Sequence, residues 1–272
     1  KVTGALEVTQ EYPSIRPILD LNFAATKTLD RRITFRRDSI GTFTGEDGLV
    51  KYASNNVPRF DHDPTTRESL GLLIEESRTN LIQYSEDMTN GQWSIGEVTV
   101  TANHTTAPDG TQTADFVVED NNTSTSLNRI FESVTVGSGT NNTFSVFVKR
   151  ASEGSPRNVR LLLGCGYGED NALFNLENGT VHSSGNGGSG QIIEYPNGWY
   201  RCILIGGSAE DTTICPQIRL ADTSFSETYA GDGSSGLYIW GAQLEQGAFA
   251  TSYIPTSGST VTRAIDIAKI TG

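Results

Sequence analysis

Few residues in this chain have the type and spacing that chemistry requires. There are three histidines, His62, His104 and His182, and no two of them stand at metal-ligand spacing. One lies between carboxylates, Asp61-His62-Asp63, a trio that could hold a cation or relay a proton. On a strand, Asp61 and Asp63 face one way and His62 the other, which argues against a shared site. The trio then reads as a strand end running into the turn at Pro64. Glu75-Glu76 is the adjacent acid pair. Glycoside hydrolysis needs two carboxylates flanking one bond, and neighbours on a strand point apart. Cys165, Cys202 and Cys215 make an odd count, which predicts free, unreactive thiols in a protein assembled in a reducing cytoplasm. Cys202 and Cys215 are the one pair a hairpin could bring together. Gly185 to Gly190 spells G-x-G-x-x-G, but a strand-like Gln191–Tyr195 follows where phosphate binding needs a helix. No nucleophile has a motif-placed base. The chain is expected to be non-enzymatic.

Binding chemistry is better represented. Sugars present apolar C–H faces that stack on aromatic rings, and hydroxyls that bond to carboxylates and amides. The stretch 164–171 carries Tyr167 among glycines, with Glu169, Asp170 and Asn171 beside it. Trp93, Tyr195 and Tyr229 are further stacking candidates. Trp199 and Trp240 sit inside strong strand patterns and are expected in the core. No cofactor is required. If a cation binds, calcium is expected, because the candidate ligands Asp109, Asp115, Asp232 and Glu245 are all oxygen donors near turns.

Short strands must position these groups. The chain has 272 residues with 29 glycines and one methionine, and helix formers never gather into long periodic runs. Phe144, Val146 and Val148 alternate, as do Trp199, Arg201, Ile203 and Ile205. Asp47-Gly48, Asp109-Gly110, Asn178-Gly179 and Asn197-Gly198 supply turns. Strands are expected near 97–102, 114–118, 128–136, 143–149, 159–163, 172–176, 191–195, 199–205, 214–220 and 237–245. Ser183 to Gly190 reads as a flexible loop. The fold expected is all-β: an antiparallel jelly-roll sandwich over 93–272, a smaller hairpin-rich β-module over 21–92, and an extended arm or linker over 1–20. Residues 21–272 could pack as one unit.

Charge narrows the partners. With 20 basic and 32 acidic residues the net charge is −12, which disfavours phosphate backbones and anionic membranes. No apolar run reaches the roughly 18–20 residues that span a bilayer, so no membrane insertion is expected. No secretory signal opens the chain, and a start at Lys1 suits a piece of a longer protein.

Several stretches, taken together and in order, resemble a bacteriophage appendage module of tail fibres, head fibres and spikes. They are Pro58–Pro64, Leu70–Asn80, Ala107–Gly110, Asn197–Arg201, Leu237–Glu245 and Thr251–Thr256. The resemblance spans about 18–270. It implies a jelly roll similar to carbohydrate-binding modules and concanavalin-like lectins. It also implies a virion-surface location after assembly in the bacterial host cytoplasm, and adhesion to host-surface polysaccharide. Other virion proteins and two further copies of the chain, in a trimer, are the partners it implies. Architectural virion protein and polysaccharide-cleaving enzyme are the two alternatives.

Overall fold

Alternation of apolar and polar residues builds nearly every element of the chain, as a computed structural model shows. The structure describes residues 21–121, 127–137, 141–165, 169–207 and 212–270. The arm over 1–20 and Tyr167 lie outside the described residues. The N-terminal part opens with a single helical turn, α1 (Phe23–Thr26). Asn22 caps it, its Oδ1 accepting from the Ala25 amide at 3.3 Å. Then come β1 (Ile33–Arg36), β2 (Gly41–Thr44), β3 (Val50–Ala53), β4 (Phe60–His62), β5 (Ser69–Leu72) and β6 (Arg78–Asn80). Strands β2 with β3 and β4 with β5 form the two expected hairpins.

The sandwich follows: β7 (Ser94–Gly96), β8 (Val98–Thr105), β9 (Ala114–Glu119), β10 (Arg129–Phe131), β11 (Val134–Thr135), β12 (Asn142–Arg150), β13 (Asn158–Leu163), β14 (Asp170–Asn175), β15 (Thr180–Gly185), β16 (Ser189–Tyr195), β17 (Trp199–Gly206), β18 (Thr213–Ile214), β19 (Pro216–Ala221) and β20 (Gly236–Gln246). Two short strands, β21 (Val261–Arg263) and β22 (Ile267–Ile270), end the chain. One six-stranded sheet has the order β15-β14-β13-β19-β10-β7 and the other β16-β17-β12-β20-β9-β8. Each long-strand pairing is antiparallel. The all-β sandwich read from the pattern is therefore the fold. The supposed flexible loop at 183–190 is instead the end of β15, a turn and the start of β16, where the chain crosses from one sheet to the other. Its serines and glycines are strand residues on an exposed edge, where packing makes little demand on side-chain size.

Phe144, Val146 and Val148 of β12 meet Val159, Leu161 and Ile218 across the main core between the sheets. The opposite face of the second sheet carries a second core. There Phe147, Trp199, Trp240, Tyr195 and Tyr253 pack with Val50 of the N-terminal hairpins. Trp199 and Trp240 are both fully buried, as expected. The chain is thus layered: sheet, sheet, then hairpins. Its C-terminal strands return to this third layer, β22 pairing with β1 and β21 with β6.

The thiol expectation fails for two of the three cysteines. Cys165 and Cys215 form a disulfide, and only Cys202 is free. The reason is register: β13 pairs with β19 so that Leu163 lies opposite Pro216, which delivers the next residues of both strands to one another. A count of cysteines carries no information about such a pairing. Cys202 is buried in the main core, where burial pushes its thiol well up and leaves it inert.

Candidate functional site

The third layer does not seal against the second sheet. A cavity of about 460 Å³ lies between them, lined on one side by β2, β4 and the residues around Glu75, and on the other by Phe147, Ile193, Tyr195 and Arg201. Ala250 to Tyr253 close one end. Leu70 and Ile193 line it while staying exposed, so they mark its mouth.

Local sequence places each wall. Gly241, at φ 65°, lies in a bulge where the β12–β20 register shifts between Ser145 and Phe147. A Cβ there would come within 3.1 Å of Phe147 and 3.3 Å of Tyr253. The bulge changes the phase of β20. Trp240 faces the second core, yet Ala242 and Leu244 face the first. Gln243 and Glu245 are thereby turned towards the third layer. Gln243 Oε1 accepts from the Ile254 amide at 2.6 Å, and Glu245 accepts from the Thr251 amide at 2.8 Å. These bonds fix the segment that closes the cavity.

On the hairpin wall, Asp61 accepts from the Thr44 amide at 2.7 Å. Burial pushes its carboxyl above the ordinary value, and the Glu75 charge adds to this. His62 is buried, with Nδ1 3.2 Å from the Thr44 carbonyl. A carbonyl only accepts, so Nδ1 carries a proton, and only in the neutral ring does Nε2 present a lone pair. That Nε2 has no partner. Asp63 accepts from the Thr65 and Thr66 amides at 2.9 and 2.7 Å. Glu75 bonds to the Ser252 amide and hydroxyl, both at 2.7 Å, and pairs with Arg59 at 2.7 Å. Burial alone would raise the Glu75 carboxyl, but Arg263 and Arg59 outweigh it and hold it below its ordinary value.

On the sandwich wall, Phe147 and Arg201 are register partners of β12 and β17. The guanidinium lies over the Phe147 ring, 5.5 Å from its centroid. Its Nη2 donates to Ser145 Oγ at 2.9 Å, while the buried Nε has no partner. Tyr195 packs edge-on against Phe147, and its hydroxyl lies 3.5 Å from Thr44 Oγ1. Burial raises the Tyr195 phenol, against the pull of the Arg201 charge.

The structure thus joins residues that the sequence reading kept apart. Asp61, His62 and Asp63 all line one cavity, contrary to the argument from strand alternation. That argument assumes an open, straight strand, whereas the cavity wraps the end of β4, where the ladder slips between Asp61 and His62. Tyr195 joins them as a wall, 9% exposed. Arg201, Phe147 and Tyr253 were missed as site residues. Their alternation announced packing, and nothing in it announced a void.

The other candidates lie elsewhere. Trp93 is buried, its indole donating to the Tyr84 carbonyl at 3.0 Å. The Tyr229 hydroxyl donates to Glu119 at 2.8 Å, under the Arg157 guanidinium. Glu169, Asp170 and Asn171 stand at the start of β14. The Glu169 carbonyl accepts from the Asn171 amide at 2.9 Å, and Asp170 accepts from Gly207 at 2.6 Å. The four proposed calcium ligands do not converge. Asp109 serves the Thr111 amide and hydroxyl, and Asp115 the Met88 and Asn103 amides. Asp232 serves Ser234 and Ser235, and Glu245 serves Thr251. Among the described residues, no group of three or more His, Cys, Asp or Glu side chains is placed to hold a metal ion. Nor is any helix among them long and apolar enough to cross a membrane.

Fold and site together define an all-β, layered antiparallel sandwich with a polar cavity behind one sheet. No family model matches the chain, and no curated protein does. Among solved structures it is similar to the carbohydrate-binding and catalytic modules of xylanase 10B from Clostridium thermocellum, in complex with xylohexaose. Identity there is 14% and the TM-score 0.35; the match covers 66% of this chain and 30% of the xylanase chain. It is also similar to a protein of Bacteroides thetaiotaomicron given a provisional sugar-binding designation, at 11% identity and a TM-score of 0.32, over 61% of this chain and 93% of that one.

Proposed function

We propose that the chain is a non-catalytic, saccharide-binding module of a bacteriophage particle, with the cavity behind the second sheet as its sugar site. One observation carries the binding part. The cavity combines aromatic walls, Tyr195 and Tyr253, with the polar side chains of Thr44, Asp61, His62 and Arg201. A saccharide meets both demands, with ring faces for the aromatics and hydroxyls for the rest. Engagement of both Glu75 oxygens supports binding over cleavage, since a committed carboxylate makes a poor nucleophile. Residence on a phage particle, adhesion to the host and trimeric assembly rest on the sequence resemblance.

A second, architectural reading draws on the exposed large apolar residues. Ten of the twelve, including Ile40, Val57, Phe249, Ile265 and Ile270, fall within 21–74 and 249–270, in or beside the third layer, and only Ile95 and Ile193 fall in the sandwich. The two readings are compatible: one layer for neighbours, one cavity for a glycan. A glycan array probed with the purified chain, with assay of released reducing ends, tests the proposal. Retained glycan spots without reducing-end release are expected. Release of reducing ends would establish cleavage instead, and no retention on any glycan would leave the architectural reading.

A further inference from the structure

The cavity is electrostatically lopsided. Among the described residues, four other arginines are as deeply buried as Arg201, namely Arg37, Arg59, Arg157 and Arg263. Each has a carboxylate: Arg37 and Arg59 pair with Asp266 at 3.2 and 2.5 Å, Arg157 with Glu119 at 2.6 Å, and Arg263 with Glu75 at 3.5 Å. Arg201 is 6% exposed, and among the described residues its only polar contact is the neutral Ser145 hydroxyl. A guanidinium out of water without a counter-charge is strongly unfavourable. Three carboxylates line the same cavity, yet they stand on the opposite wall and are engaged there. Asp61 and Asp63 hold backbone amides, and Glu75 is held by Arg59 and Ser252.

We propose that the cavity selects a carboxylate-bearing sugar, such as a hexuronate, whose anionic group pairs with the Arg201 guanidinium. This rests on reading the cavity as a saccharide site. The guanidinium donates to the carboxylate, a charge-assisted bond that neutral sugars cannot offer. The sugar ring then lies against the Tyr195 wall of the cavity. An anion enters despite the acids because the Glu75 charge is balanced by Arg59 and Arg263, and Asp61 and Asp63 are held by backbone amides.

Chemical-shift titration of the full chain with glucuronate, galacturonate, glucose and galactose tests this, since it reads even millimolar binding. The uronates are expected to bind about tenfold or more tightly than the neutral sugars, with the Arg201 Nε–H resonance among those that move. Arg201→Met should erase that preference, so that uronates and neutral sugars bind alike. It should also raise the melting temperature, because it removes an uncompensated buried charge; an arginine kept for packing would lower it. Should the methionine variant not fold, Arg201→Lys serves instead, keeping the charge but losing the Nε–H and most of the preference. Equal binding of neutral and acidic sugars, or a preference that survives both substitutions, overturns the carboxylate assignment and leaves the saccharide reading standing. No shift at the cavity with any sugar overturns both.

Discussion

Glu132, at the end of β10, is 6% exposed, and burial alone pushes its carboxyl up to about 7. An acid of this kind keeps its proton in the folded state after the unfolded chain has released it. Stability from this group is therefore complete below the unfolded value of 4.5 and falls as pH rises towards about 7. Glu132→Gln should stabilise the protein at neutral pH by on the order of 2–3 kcal/mol, with the gain vanishing below the unfolded value. Denaturant melts of both forms across that pH range check this, and a gain that grows towards acid would contradict it. The disulfide makes a second residue-scale prediction. It closes a 50-residue separation, so Cys215→Ser should cost about 2–4 kcal/mol. Non-reducing mass spectrometry should join Cys165 to Cys215 and leave Cys202 as a free thiol. At this scale the sequence was least legible. Trp93 and Tyr229 have the composition of sugar platforms, but one is buried beneath Tyr84 and the other is bonded to Glu119. Arg201 showed only strand alternation, because an unmet guanidinium is defined by neighbours distant in the chain.

The elements were far more readable. Period-two alternation found β12, β13, β16, β17 and β20 within a residue or two, because buried faces leave little freedom in register. It missed β15, whose polar residues occupy an exposed edge, and the C-terminal strands β21 and β22, which are short and paired with the far end of the chain. It also missed the charged seam that ties those ends together. Arg37, Arg59 and Arg263 share Asp266 and Glu75 between β1, β5 and β22, with the three arginines and Asp266 wholly buried. Removing one cation from such a seam strands buried anions. Arg59→Met should cost about 3–5 kcal/mol. Because Glu75 titrates below its ordinary value, the seam's contribution is present above the unfolded carboxylate value and is lost as pH falls through the lowered one. The Arg59→Met deficit should therefore shrink in acid; a deficit constant with pH would mean that packing, not charge, carries the loss.

At the scale of the whole molecule, three layers are stacked around two cores, and the void lies between the second and third. That void could not be read from the sequence. Asp61, Tyr195, Arg201 and Tyr253 come from four separate stretches, and only the return of the chain end onto the hairpins brings them together. Glu169, Asp170 and Asn171, part of the stretch the sequence favoured as the sugar platform, stand at the start of a strand of the first sheet and do not line the cavity. Binding at the two places can therefore be told apart. Titrating the isotope-labelled chain with polysaccharide fragments from a host surface and mapping the shifted resonances is the most direct test. Shifts clustered on Thr44, His62, Tyr195, Arg201 and Tyr253 are expected. Shifts confined to Glu169, Asp170 and Asn171, or none at all, would contradict the assignment of the cavity as the sugar site.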